Sequence, residues 1–233
     1  MATVLSTIIT NVRTALQEPT AKFWTDAEIL AQINHGIGDL WRALNALYED
    51  YHLTVDATNC SIASGASTVT GVPSDVAVIR GLEPRVATSY PNLRFQFKKY
   101  NSPEFVDART WPAQDPTQLS VVLVAIAGSS APVGAPTLYV APTLTAAVTL
   151  RLSYVATLPA KTSGDNNPIP GQSDKALECY AVAYCRQKLR EDQSPDPDWL
   201  ATYGTEKANL LVSLKPREEV DDEVVVGMFE ELW

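Results

Sequence analysis

Histidine and cysteine are scarce. The chain of 233 residues has two histidines and three cysteines, which leaves little material for a metal centre or an activated nucleophile. His35 and His52 lie seventeen positions apart, roughly 26 Å if one helix joins them, too far to share a metal. Neither has a cysteine at zinc-ligand spacing, so both read as surface or boundary histidines. The odd cysteine count leaves at least one thiol free and excludes a disulfide framework. Cys179 and Cys185 stand six residues apart in an expected helix, and six steps of about 100° place them on different faces. The three thiols, with Cys60, are expected to be small apolar fillers in a reducing cytoplasm.

Other shortages exclude further classes. No apolar run approaches the ~20 residues of a membrane span; the longest, Val121 to Ala127, is strand length, so no membrane partner is expected. The start of the chain lacks a basic stretch followed by an apolar core, which predicts no cleaved secretory signal. Gly36-Ile37-Gly38 lacks a third glycine and falls within a helical pattern, so it is no dinucleotide loop, and no phosphate-binding lysine loop occurs. No nucleophile elbow marks a Ser-His-Asp arrangement. No cofactor and no catalytic residue is assigned. Basic residues are also short, 18 against 27 acids, for a net charge of −9 and a pI near 4.7. That argues against broad nonspecific DNA binding by the free subunit, while remaining compatible with DNA passing nearby.

The acids concentrate at one end. Residues 217–233 hold seven acids and one arginine, which leaves six of the nine net negative charges in seventeen residues. Glu218, Glu219, Asp221, Asp222 and Glu223 form a run without the spacing or glycine of a calcium loop; it reads as an extended, self-repelling spacer. Val224, Val225, Val226, Met228, Phe229, Leu232 and Trp233 follow. A chain end is usually polar and frayed, whereas burying each of these large apolar groups contributes roughly 1.5–3 kcal/mol. The segment therefore either folds back on its own domain or docks on a partner.

The rest of the chain is helical at both ends and strand-rich between. Leu5, Ile8, Ile9, Val12 and Leu16 recur at helical spacing, and Glu18-Pro19 closes that helix. Thr25-Asp26-Ala27-Glu28 is a capping box opening a long helix with Ile29, Ile33, Ile37, Leu40, Trp41, Leu44 and Leu47 on one stripe. Gly36 and Gly38 weaken it, and permit either close approach of another helix or a bend. Strands are expected at Leu53–Val55, Thr68–Thr70, Val76–Ile79, Leu93–Phe97, Val121–Ile126, Thr137–Val140 and Ala147–Val155. Ser102-Pro103 is the cap and first position of a short helix. A loop covers 160–172, a helix 174–192, and Asp196-Pro197 opens a last helix with Trp199, Leu200, Tyr203, Leu210, Leu211 and Leu214; the short connection predicts an antiparallel hairpin. The order predicts an α+β fold: a helical bundle from the N- and C-terminal helices with an inserted antiparallel β-rich region and an extended C-terminal arm. The expected boundaries are 1–52 for the N-terminal helices, 53–160 for the β-rich insert, 161–216 for the C-terminal hairpin and 217–233 for the arm.

One stretch runs against the overall acidity. Arg80, Arg85, Arg94, Lys98 and Lys99 face a single acid, Glu83, with Tyr90, Phe95, Phe97 and Tyr100 interleaved. Such a mixture occurs on nucleic-acid surfaces. Alternation of Leu93, Phe95 and Phe97 with Arg94, Gln96 and Lys98 also describes a strand with an apolar face inside and a basic face outside. A solvated face, a subunit contact that receives a neighbour's acidic segment, and a DNA-facing role all stay open.

Phe23-Trp24-Thr25-Asp26-Ala27-Glu28-Ile29-Leu30-Ala31-Gln32-Ile33-Asn34 resembles the opening of the long helix in tailed-phage head-to-tail adaptor (connector, neck) proteins. Tyr154-Val155-Ala156-Thr157-Leu158-Pro159, the loop with Pro168-Ile169-Pro170, and Ser173 to Cys185 are similar to that family's last strand, loop and small-residue helix. The resemblance covers about a third of the chain. It implies a structural virion protein without enzyme activity: a homo-oligomeric ring, commonly of twelve subunits, bound to the portal at the capsid vertex and linking capsid to tail. It implies helices in the ring wall and a β region facing the tail or nozzle proteins. The arm would dock on the portal, and genome DNA would pass the lumen without sequence-specific binding during ejection. The protein would be made in the host bacterial cytoplasm and end in the virion neck. A tail-completion or tail-tube-end structural protein is the alternative, and a virion-associated hydrolase the enzyme reading, with Glu104 as the acid to test.

Overall fold

The computed structural model describes residues 3–48, 51–56, 60–86, 89–127, 136–169, 171–190 and 193–214. In chain order they form α1 (Leu5–Ala15), α2 (Asp26–Leu47), β1 (Leu53–Asp56), β2 (Ser61–Ile62), β3 (Val69–Thr70), β4 (Val76–Pro84), β5 (Arg94–Lys98), α3 (Pro103–Ala108), β6 (Val121–Ala127), β7 (Thr137–Ala141), β8 (Val148–Ala156), α4 (Asp174–Arg186) and α5 (Pro197–Ser213). This is an α+β protein. The chain divides into two compact units, 1–48 with 159–233, and 49–158.

Local chemistry starts three of the helices. At α2 the Glu28 N–H donates to the Thr25 hydroxyl at 3.2 Å and the Thr25 N–H donates to the Glu28 carboxylate at 2.8 Å, a complete capping box. Ser102 caps α3 and Asp196 caps α5, each with proline in the first turn. α1 has no side-chain cap. Its first N–H groups are satisfied across the chain instead: Leu5 donates to the Asp165 carbonyl and Ser6 to the Ser163 carbonyl, both at 2.9 Å.

In the helical unit α4 is the central element. Ala176, Leu177, Cys179, Ala181, Val182 and Ala183 are all fully buried, and α1, α2 and α5 pack around it. A helix apolar on every side belongs in a core. Ile29, Ile33, Ile37, Leu40 and Leu44 supply the α2 stripe, as the spacing predicts. Trp41 and Leu47 stand outside it, Leu47 exposed. α5 packs against α4 with few fully buried side chains of its own. Tyr203 and Leu210 are buried, whereas Leu200 is exposed and Val212 is 75% exposed.

The β-rich unit contains two sheets. In the first, β8 is central: β1 and β2 pair with successive halves of one side and β4 with the other, all antiparallel, while β3 pairs with β2. Val148, Leu150, Leu152 and Tyr154 are buried and alternate with Thr149, Arg151 and Ser153. The second sheet has the order β5-β6-β7. Ile62, Val69, Leu82 and the β8 residues meet Val122, Val124, Leu138 and Val140 in one core between the sheets. On the other face of β6 and β7, Phe105 and Ala108 of α3 cover Ala125 and Ala141.

The insert differs from the antiparallel expectation at one pair: β5 and β6 run parallel, from Arg94↔Val121 to Lys98↔Ala125. The intervening segment carries α3, and a crossover of that kind returns the chain to the end where it started. β6 is covered on both faces over Val122–Ala125, which fits the apolar run there, while Val121 and Ile126 are exposed. β2 was not expected, and β4 runs through Arg80-Gly81 to Pro84 with two register shifts. Bulges of that kind break the alternation by which a strand is read.

The glycines of α2 give a direct test. A Cβ on Gly36 would stand 3.1 Å from the Tyr180 ring and 3.2 Å from Leu177, whereas one on Gly38 would meet nothing within 4 Å. Gly36→Ala is expected to destabilise by about 1–3 kcal/mol through overpacking. Gly38→Ala is expected to stabilise by up to about 1 kcal/mol through helix propensity. Denaturant unfolding of the two variants reads the opposite signs.

Candidate functional site

The first stretch of the family resemblance, Phe23 to Asn34, meets the loop and α4 of the second in the helical unit, while Tyr154–Ala156 of the second lie in β8. Trp24, buried, donates its indole N–H to the Cys185 carbonyl at 2.9 Å. Ion pairing joins Glu28 to Lys188. The Asn34 amide clamps the chain where it returns at Lys161: its Nδ2 donates to the Lys161 carbonyl at 2.9 Å and its Oδ1 accepts the Lys161 N–H at 2.8 Å. Asn167 does the same for the following turn, donating to Ser173 at 2.9 Å and Asp174 at 2.7 Å and accepting the Ile169 N–H at 3.0 Å.

Upstream, Arg13 is only 7% exposed and holds the α1–α2 connection. Its guanidinium donates to the Trp24 carbonyl at 3.0 Å and to Asp26 at 2.5 and 2.8 Å. The Glu18 carboxylate accepts the N–H groups of Lys22, Phe23 and Trp24, so one side chain shapes the turn. On the far side of α2, Asp39 accepts from the Tyr203 hydroxyl and, at 2.6 Å, from Lys207, which fastens α5. Burial raises the Asp39 carboxyl, but these hydrogen bonds outweigh it and leave the group below its usual range. Burial, then Asp39, push the Tyr203 hydroxyl far above its ordinary value. Arg13, Asp39 and Lys161 were not singled out from sequence. The available signal was a polar residue beside an apolar stripe, which does not reveal its partner.

Little here matches the needs of catalysis. Cys60, Cys179 and Cys185 are buried and in no disulfide, and burial pushes the Cys185 thiol up to about 11, so it stays protonated and inert. Among the described residues no group of histidine, cysteine and acids could hold a metal, and no helix is long and apolar enough to cross a membrane. Glu104 lies in the first turn of α3. Its own N–H, the Ser102 hydroxyl and nearby Lys98 hold its carboxyl below the usual range, the opposite of a general acid.

The basic residues occupy the β-rich unit. Arg94 and Lys98 begin and end β5, with Lys99 just beyond; Arg94 and Lys99 are exposed and Lys98 half-buried. Arg85 is exposed past the end of β4, and Arg80 is half-buried at its bulge. Pro84 and Arg94 share the lining of one cavity of about 310 Å³, which brings the Arg85 and Arg94 regions together. Lys98 and Lys99 lie at the other end of the strand, about 13 Å away along it. The expected alternation holds at Leu93 and weakens along β5, with Phe97 37% exposed. The spacer Glu218, Glu219, Asp221, Asp222 and Glu223 and the apolar group Val224, Val225, Val226, Met228, Phe229, Leu232 and Trp233 lie outside the described residues.

These contacts make a scaffold: side chains that would be candidates in an enzyme are spent on holding helices and turns in place. The family model described as SU10 adaptor protein matches residues 3–224. The chain belongs to that family, and is a phage structural adaptor protein. A search of curated proteins gave no match.

Two measurements test the scaffold. Asn34→Ala leaves the Lys161 backbone groups without their partner and is expected to cost about 1–3 kcal/mol, read by denaturant unfolding. Glu28 is held down to about 2 by Lys188 and by the Thr25 N–H and hydroxyl, against an ordinary 4.5. Between those values the unfolded chain binds the proton first, so this contribution is present above pH 4.5 and lost as pH falls toward 2. Glu28→Gln is expected to flatten the Tm–pH curve in that window.

Proposed function

We propose that this chain is the subunit of a head-to-tail adaptor ring in the virion neck, bound to the portal and linking capsid to tail. The family match across nearly the whole chain carries the reading. The arm composition supports it: an acidic spacer keeps a free arm soluble, and an apolar end needs a receiving surface. In this reading Val224, Val225, Val226, Met228, Phe229, Leu232 and Trp233 dock on the portal. Twelve copies acting together gain avidity without strong individual contacts. The exposed apolar residues of α5, Leu200 and Val212, suit a wall packed against neighbouring copies. Net negative charge lets genome DNA pass the lumen without sticking.

Among the described residues, both cores are built from residues up to Leu210. Removing 217–233 is therefore expected to leave circular dichroism and Tm unchanged while abolishing pull-down by portal rings. Normal capture of the shortened chain by the portal would refute arm docking. Capture by tail proteins alone would favour a tail-completion role.

A further inference from the structure

We propose that the outer edge of β5 seats the acidic segment 218–223 of a neighbouring copy, laid alongside as an added strand. The inference rests on the ring reading above and adds a contact between its subunits. β5 ends its sheet: β6 pairs with one side, and among the described residues no strand or bridge pairs with the other. An open row of backbone N–H and C=O groups is a template for another chain.

The flanking charges select which chain. Arg94 and Lys98 lie on the strand, with Lys99 following and Arg85 close to its start. None of the four forms an ion pair among the described residues. Glu83, the acid of the neighbouring segment, pairs with Arg151 at 3.3 Å, and Glu104 lies near Lys98. Basic residues on an edge repel the edges of other basic strands and penalise neutral ones. They favour a strand of opposite charge, and segment 218–223 has five acids in six residues. Extended, six residues span about 20 Å, enough to run the length of β5. The apolar residues from Val224 onward then continue past the edge, free to reach the portal.

The full-length protein, mixed from isotopically light and heavy subunits, is treated with a carbodiimide that joins lysine amines directly to carboxylates. The treatment is applied to portal-bound assemblies and to concentrated subunit alone. Expected are light–heavy cross-links from Lys98 or Lys99 to 218–223, reduced at least fivefold by Arg94→Glu or by raised salt and retained in Arg94→Lys. Portal assembly with no such cross-link overturns this contact and leaves portal binding standing. If no portal assembly forms, the cross-link in concentrated subunit still decides, and its absence there overturns the contact. Cross-links only within one isotope form place the segment on its own subunit and overturn it as well. Loss of duplex DNA retention in Arg94→Glu without any cross-link makes the surface DNA-facing and overturns it too.

Discussion

The helical unit is split in sequence, and its integrity depends on the seam where the chain returns to it. Residues 1–48 and 159–233 flank an insert of residues 49–158. Were that insert a flexible loop of about 110 residues, closing it would cost about 4 kcal/mol. Asn34 answers this with an amide that satisfies both backbone groups of Lys161. The N–H groups of Leu5, Ser6 and Asn167 and the Trp24 indole make further bonds between the halves. At about 0.5–1.5 kcal/mol net each, these six bonds match the closure cost in order of magnitude. The apolar contacts of α4 then supply the surplus. An insert that folds on its own core lowers the closure cost again, because its ends are already held.

What was legible in the sequence was local. Thr25 with Glu28, Ser102 with Pro103, and Asp196 with Pro197 act within one turn, so reading them needs no knowledge of the fold. The alternation of β8 was equally readable, because one face is buried along its length. Pairing partners were not readable. β5 runs parallel to β6 because of a crossover whose geometry no residue states. β2 is two residues long, too short to show a period. Arg13 reads as an ordinary helical arginine until the 18–24 turn folds over it. Of the candidate surfaces, the basic residues were visible as a composition, but their placement on a sheet edge depends on strand order.

Much of the seam falls in the segments that resemble the adaptor family. Trp24, Glu28 and Asn34 on one side face Cys185, Lys188 and Lys161 on the other. Their pattern thus records a structural requirement: two distant stretches must fit one another for the helical unit to close. Nothing in that requirement constrains the β-rich insert, whose core is separate.

Charge has a different logic in the two parts of the chain. In the folded units several acids are paired with a basic side chain: Asp26 with Arg13, Asp39 with Lys207, Glu28 with Lys188. In 217–233 seven acids face one arginine, and local pairing cannot neutralise them. Repulsion of that density opposes collapse onto the chain's own acidic surface and favours binding where positive charge is gathered. The β5 edge gathers such charge, and among the described residues no strand pairs with its outer side. A contact that needs both features is selective in a way that neither a charge patch nor a bare strand edge would be. Its strength should fall with salt, whereas burial of Phe229, Leu232 and Trp233 should not. If the arm docks as proposed, its two halves are separable by ionic strength, with the apolar end persisting where the acidic segment releases.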